Sequence, residues 1–509
     1  MIMQAVFRVD SSEQIGFGHV VRCLTLADKL SQNGFQCAFI CQQLNGNGID
    51  LIERKKYRFH LFDDLSNTFN SQSIDAQKTE KIIQQNYGHI HLLVVDHYGL
   101  SDEWEQVVSS LTSKLLVIDD LANRSHHCDY LLDVSIQRQA SDYAKLCRPE
   151  AQLLIGPDFS LLRDEFSRYR QSALEKRKTT NKIQKILLSF GATDPTHLTL
   201  SVLDILNEIR CDSTIDIAVS SKCSWLADFD ASRYEHITIQ LNVDNYNLVP
   251  LMLESDLAIG AIGGSTWERA CLGLPCISIT NSDLQTPIVE YLHKHDVIVY
   301  SSLEDLKMDI APFLKFNFDH WYGYVKRNSH LIDGLGCERV LKNILRSSLQ
   351  FKPLTMEYAD QLFEWQCQPQ ARQYSRNPQP PSHSEHINWL QHSLDNPLRR
   401  MWVIQLMGEA VGYVRLDELE YVFKTETVST PREVSINTIT EEVSILISDQ
   451  FHGLGIGKIA LDFLQKNMKY ETLIATVNDL NLASKQLFLS SGFTPCGHQT
   501  YVFERSCIK

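Results

Sequence analysis

The chain has 509 residues, of which 43% are hydrophobic and 22% charged, with a formal net charge of −14 at pH 7. Such a length exceeds what one hydrophobic core sustains, so about two to four domains are expected. Distributed negative charge argues against non-specific binding to nucleic acid or anionic membranes, although local loops can still hold phosphate. The 13 cysteines include no Cys-x-x-Cys pair of zinc spacing and imply reduced, mostly buried thiols. Met1–Asp10 lacks a signal-peptide apolar core, and no apolar run reaches the roughly 20 residues of a membrane helix. A cytoplasmic protein without membrane insertion is the expectation.

Residues 1–171 read as a first α/β domain. Ala5–Val9, Cys37–Cys41, His91–Asp96, Leu115–Asp119 and Tyr130–Val134 are short apolar runs, with helical patterns between them at Val20–Leu30 and Trp104–Leu111. Unbroken apolar strands alternating with helices imply a parallel sheet covered on both faces. Gln171–Gln184 is charged and reads as a solvated linker or crossover. Residues 172–348 read as a second α/β domain with strands at Lys185–Phe190, Ile215–Ser220, Ile237–Leu241, Leu257–Ile259 and Cys276–Thr280, closing with a helix at Cys337–Arg346. Residues 349–509 change character. Helices at Ala359–Gln368 and Ser384–Leu394 precede alternating strands at Met401–Leu406, Ala410–Asp417 and Glu442–Ile447, an α+β pattern. Glu418–Thr440 is polar and reads as a long strand connection.

Chemistry concentrates at the ends of strands. After the first strand comes Gly16-Phe17-Gly18-His19-Val20-Val21-Arg22. Its glycines permit a tight turn, the helix start is electropositive, and His19 is a side chain able to take a proton near neutral pH. Asp10, Asp96-His97-Tyr98 and Asp119 follow three strands, where open α/β sheets bind ligands. Each Asp taken singly also suits a helix cap or turn. Gly191 follows the first strand of the second domain, and Gly263-Gly264-Ser265-Thr266 precedes a helix that carries Glu268. That glycine-led helix start offers amides and a hydroxyl to a diphosphate; a tight turn with a capping Glu is the bland alternative.

The stretches Gly16–Arg22, Val94–Tyr98, Ile118–Arg124 and Gly263–Arg269 together resemble the UDP-sugar hydrolase of pseudaminic acid biosynthesis, over roughly the first two thirds of the chain. The resemblance implies a glycosyltransferase-B-like pair of doubly wound Rossmann-like domains. It also implies hydrolysis of UDP-2,4-diacetamido-2,4,6-trideoxy-β-L-altropyranose to UDP and free sugar. One departure is Gly191-Ala192, where the family often has two glycines. His19 is then the base that activates water on the face of C1 opposite UDP, giving inversion by single displacement without a metal. Asp10, Gly16, Gly18, Arg22, Asp96, His97, Tyr98, Asp119, Gly191, Gly263, Gly264, Ser265, Thr266 and Glu268 are the expected substrate contacts.

The third domain resembles the GNAT acetyltransferases from about Phe351 to the end. Gln450, Gly453 and Gly455 match that family's pyrophosphate loop, and Asn478, Asn481, Ser484 and Ser491-Gly492-Phe493 follow in order. The resemblance implies that amides around Gly453, Gly455, Gly457 and Lys458 hold acetyl-CoA, with Leu446 and Ile447 along its pantetheine arm. Phe488 stands where many members carry a Tyr that protonates the leaving thiolate, so water, Ser490 or Tyr501 would serve. Glu442, or Glu441 beside it, is the expected acceptor of the amine proton, directly or through water. The fusion suggests consecutive steps, N-acetylation of a 4-amino UDP-sugar followed by loss of UDP, with contacts to other enzymes of the pathway. The rival reading is a UDP-sugar glycosyltransferase with an acetyl-CoA-binding regulatory domain.

Overall fold

Apolar runs that do not alternate need cover on both faces, and in this chain they form two parallel sheets. The computed structural model describes residues 3–12, 14–62, 72–191, 193–245, 247–279, 286–375, 377–420 and 439–505. The chain divides into two compact units, Ile2–Leu341 and Lys342–Lys509.

The first unit contains two lobes. In the first lobe, β1 (Met3–Val9), β2 (Phe35–Gln42), β3 (Arg58–Phe62), β4 (Ile90–Asp96), β5 (Thr112–Ile118), β6 (Tyr130–Asp133) and β7 (Gln152–Ile155) pair in the order β3-β2-β1-β4-β5-β6-β7. All these pairings are parallel. The order reverses between β1 and β4, which opens a crevice beyond their carboxyl ends. In the second lobe, β8 (Lys185–Ser189), β9 (Thr214–Val219), β10 (Thr238–Val243), β11 (Leu257–Gly260), β12 (Cys276–Ser278) and β13 (Val299–Tyr300) pair in the order β10-β9-β8-β11-β12-β13. Here the reversal lies between β8 and β11. A Cβ at Gly260 would lie 2.2 Å from the Ser189 carbonyl oxygen, so glycine alone lets these two strand ends meet.

The charged stretch Gln171–Gln184 is not a solvated linker throughout. Helix Asp164–Lys178 runs through it, with Phe166 and Ala173 in the core of the second lobe. Arg177 is fully buried and donates to the carbonyls of Met252, Ser255 and Leu272. Lys176 donates to those of Leu253 and Glu254. Together they satisfy carbonyls left open at the end of helix Val249–Glu254 and, through Leu272, at the end of helix Gly264–Cys271.

The second unit has β14 (Leu349–Pro353), β15 (Arg399–Leu406), β16 (Glu409–Glu420), β17 (Ile439–Ile447), β18 (Thr472–Thr476), β19 (Thr494–Pro495) and β20 (Thr500–Glu504), in the order β14-β15-β16-β17-β18-β20-β19. The expected helices are present as Ala359–Cys367 and His383–Asp395, the latter started by a Ser382/Glu385 capping box. The expected connection after Glu418 falls largely on residues 421–438, outside the described residues. β17 and β18 are parallel, but only Glu441–Leu473 and Glu442–Ile474 are in register. Beyond them β17 stays with β16 as far as Ile447, and β18 stays with β20. The sheet therefore splits just after Glu442, beyond which β17 and β18 no longer pair with each other.

Candidate active sites

His19 is the second residue of helix Gly18–Gln32, which starts directly from the glycine turn. Gly16 has φ +78° and donates its N–H to the Ser12 carbonyl, closing the turn in a conformation suited to glycine. The turn lies at the reversal between β1 and β4, so His19 meets Asp96 at the end of β4. His19 Nδ1 is 2.5 Å from Asp96 Oδ1. Arg22, one helical turn on, donates to both Asp96 oxygens, at 2.5 and 2.6 Å. Arg22 Nη2 also lies 3.1 Å from His19 Nδ1. A guanidinium only donates and an ionised carboxylate only accepts, so the short contact to Asp96 places the proton on Nδ1. Nε2 then carries the lone pair, and among the described residues it has no hydrogen-bond partner. Burial would raise the Asp96 carboxyl, but Arg22 and His19 outweigh it and hold the group well below the usual carboxylate range.

Around this pair the three expected strand ends converge, in unequal roles. Asp96 is buried and turned onto His19 and Arg22, not left open to a ligand. Asp10 is buried and doubly bonded by Arg8, which in turn grips Asp75. His97 Nδ1 accepts from the Gly99 N–H, and its Nε2 lies 3.4 Å from Asp10. Both His97 nitrogens are thus engaged, whereas one nitrogen of His19 is open. Asp119 is fully buried and accepts from Tyr143 and the Ala122 amide. Asp120 was not singled out from the sequence, yet it receives Arg22 and Tyr98, each at 3.2 Å. The exposed Tyr98 ring stands edge-on to His19 with centroids 4.7 Å apart.

The second lobe presents a barer surface at its own reversal. Helix Gly264–Cys271 begins beyond β11, and Gly263 and Gly264 are exposed with nothing within 4 Å of where a Cβ would stand. Thr266 is buried and accepts from the Gly263 N–H at 3.1 Å, while Ser265 is half-buried. Glu268 lies 3.7 Å from Arg163, and burial raises its carboxyl against the pull of Arg163 and Arg269. Gly191, φ +98°, follows β8 on the other side of the same crevice; Ala192 lies outside the described residues.

In the second unit Glu442 stands where the sheet divides and accepts from Thr476 Oγ1 at 2.8 Å. Glu441 is committed elsewhere, buried against Arg400 at 2.6 Å and the Lys469 amide. Leu446 packs with the helices on one face of the sheet, while Ile447 approaches Gly457 on the other. Gln450 and Lys458 are exposed, and Gly453 and Gly455 have φ +82° and +76°, the latter just before helix Ile456–Asn467. Open space surrounds both glycines, so amides at this helix start are accessible to an anion. Gly457 has a packing role, since a Cβ there would meet Leu487 at 2.9 Å. Asn481 caps helix Leu482–Ser490 through the Ser484 amide, and Asn478 accepts from the Leu480 amide. Phe488 is core, edge-on to Phe493 and stacked near Tyr501.

Fold and sites define a two-part enzyme: a doubly wound α/β part carrying a held imidazole, followed by an α+β part with a split sheet. The Acetyltransferase (GNAT) domain family matches residues 348–494. UDP-2,4-diacetamido-2,4,6-trideoxy-beta-L-altropyranose hydrolase of Campylobacter jejuni is 34% identical over 258 residues, covering 50% of this chain and 84% of that protein. An uncharacterized protein of Methanocaldococcus jannaschii is 23% identical over 509 residues, 96% of each chain. Among solved structures, MurG of Acinetobacter baumannii has a TM-score of 0.47 at 13% identity, covering 66% of this chain and 98% of its own. The chain belongs to the family of the Campylobacter hydrolase, with an acetyltransferase domain of the GNAT type at its C-terminal end.

Proposed function

We propose that the doubly wound part hydrolyses UDP-2,4-diacetamido-2,4,6-trideoxy-β-L-altropyranose to UDP and the free sugar. On this reading His19 Nε2 takes a proton from water as the water attacks C1, and Asp96 stabilises the imidazolium that forms. Arg22 keeps Asp96 ionised, while Tyr98, His97 and Asp120 border the sugar. UDP leaves against Gly263–Glu268, where the helix start stabilises the developing charge. Attack opposite the leaving group gives inversion. The observation that carries the reading is His19 with its Nδ1 fixed and its Nε2 open, at a sheet reversal of a chain that is 34% identical to that hydrolase over 258 residues.

The C-terminal domain, residues 349–509, acetylates the 4-amino UDP-sugar that precedes this substrate. Acetyl-CoA supplies the acetyl group. Its pyrophosphate is held by amides around Gly453–Lys458, and its pantetheine arm lies along the unpaired edge of β17 near Leu446 and Ile447. Glu442 accepts the amine proton, directly or through water; Glu441 is already taken by Arg400. Among the described residues no helix is long and apolar enough to cross a membrane. UDP-sugar and acetyl-CoA as small-molecule partners fit a cytoplasmic enzyme that passes its product to the next enzyme of the pathway. The test is mass spectrometry after incubating the UDP-4-amino sugar with acetyl-CoA. Free diacetamido sugar plus UDP is expected, and an acetylated but uncleaved UDP-sugar would reject the hydrolase.

A further inference from the structure

The base and the bare glycine loop sit on different lobes, and one side chain ties the second lobe to the turn that carries the base. Lys222 follows β9, and its backbone N–H donates to Ser220 Oγ while the adjacent Ser221 amide donates to Asp244. These bonds fix the direction in which the side chain leaves the second lobe. Its ammonium lies 5.1 Å from the centre of the Phe17 ring, donates to the Asn47 carbonyl at 3.2 Å and lies 3.6 Å from Asp50. All three partners belong to the first lobe. Phe17 is the residue between the two glycines of the turn, and its carbonyl accepts the Val21 N–H in the first turn of the His19 helix. Its ring is packed closely as well. A Cβ at Gly48 would lie 2.9 Å from Phe17 Cδ1, and the Gly48 N–H donates to Ser11 Oγ. Lys222 thus closes a cluster of Phe17, Gly48 and Ser11 two residues from the base.

We propose that Lys222 is a positioning residue for hydrolysis: from the second lobe it holds the Phe17 turn, and with it His19, in the orientation that serves the reaction. The inference rests on the hydrolase reading above. A cation over an aromatic face, with a carbonyl and a carboxylate completing its shell, resists displacement of the ring without itself touching the reacting atoms. Small displacements of a catalytic group are costly in rate, so the effect falls on turnover more than on binding.

The test compares Lys222→Met and Lys222→Arg with wild type in kcat, UDP affinity by calorimetry and amide exchange of residues 14–20. For Lys222→Met, kcat is expected to fall about tenfold with UDP affinity within about twofold and faster exchange across the turn. Lys222→Arg, which keeps the cation over the ring, is expected to recover most of the rate. Unchanged kcat and exchange in Lys222→Met would overturn the proposal. So would parallel loss of rate and UDP affinity, which would make Lys222 a phosphate contact. If wild-type protein cleaves no UDP-sugar, the hydrolase reading fails by itself. The exchange of residues 14–20 in Lys222→Met then still decides whether Lys222 holds the turn.

Discussion

The reversal points of the two lobes are built to the same topology and furnished in opposite ways. Beyond β1 and β4, charged side chains crowd together, with His19, Arg22, Asp96 and Asp120 bonded into one group in which His19 and Asp96 are buried and Arg22 and Asp120 half-buried. Beyond β8 and β11 stand two exposed glycines and the start of a helix. Pre-set side chains suit proton transfer, because a fixed tautomer and a stabilising carboxylate are ready before the substrate arrives. Bare amides suit an anionic leaving group, because backbone N–H groups can approach it closely. On the proposed function, one crevice is arranged for reaction and the other for holding.

The contrast is broken most severely at His19. His19→Ala is expected to lower hydrolysis about 10²–10⁴-fold with UDP affinity little changed; near-wild-type turnover would remove the base from the first crevice. Asp96→Asn is expected to cost on the order of 10²-fold in kcat, because an amide can donate to Nδ1 and so favour the wrong tautomer. Glu442→Gln sharpens the division between the two chemistries. Acetyl transfer should fall about 10²-fold while hydrolysis of the acetylated substrate is unaffected, as measured by separate assays on one preparation. In the second crevice Gly263→Val should raise the Kd for UDP roughly tenfold, about 1.4 kcal/mol, by obstructing the amides. It should leave the melting temperature unchanged, since nothing lies within 4 Å of the new Cβ.

The smallest expected effect concerns the floor of the first lobe. His126 is buried between Glu105, at 2.7 Å, and Asp119, at 3.8 Å. Burial opposes its charge, but bonding and charge from Asp119 and Glu105 win and raise its pKa from 6.5 to about 9. A raised folded-state pKa contributes stability that is complete below pH 6.5 and is lost as pH rises through about 9. Denaturant melts should therefore show stability falling across that window, by no more than about 3 kcal/mol. His126→Gln should flatten the fall, and a flat wild-type profile would contradict the charged state.

Several of these features were legible in the sequence, and the failures have physical causes. The central strands of both lobes read correctly because burial on both faces leaves unbroken apolar runs. β3 and β7 were missed because edge strands such as Arg58–Phe62 and Gln152–Ile155 need less apolar surface. His19 was visible from its glycine turn. The contact of Asp96 with His19 was not, since it joins residues 77 positions apart. Asp119 was legible as a polar strand end but Asp120 was not distinguished, because adjacent residues beyond a strand diverge, one into the floor and the other toward Arg22 and Tyr98. Arg177 was read as solvated because a charge run carries no sign of the helix end whose carbonyls it satisfies.

The most direct measurement of the role assigned to His19 is hydrolysis of the UDP-sugar in ¹⁸O-water, followed by mass spectrometry of the UDP released. Attack of His19-activated water at C1 breaks the bond between the sugar carbon and oxygen, so unlabelled UDP is the predicted product. UDP carrying ¹⁸O on its β-phosphate would mean attack at phosphorus, and would contradict a base directed at the sugar.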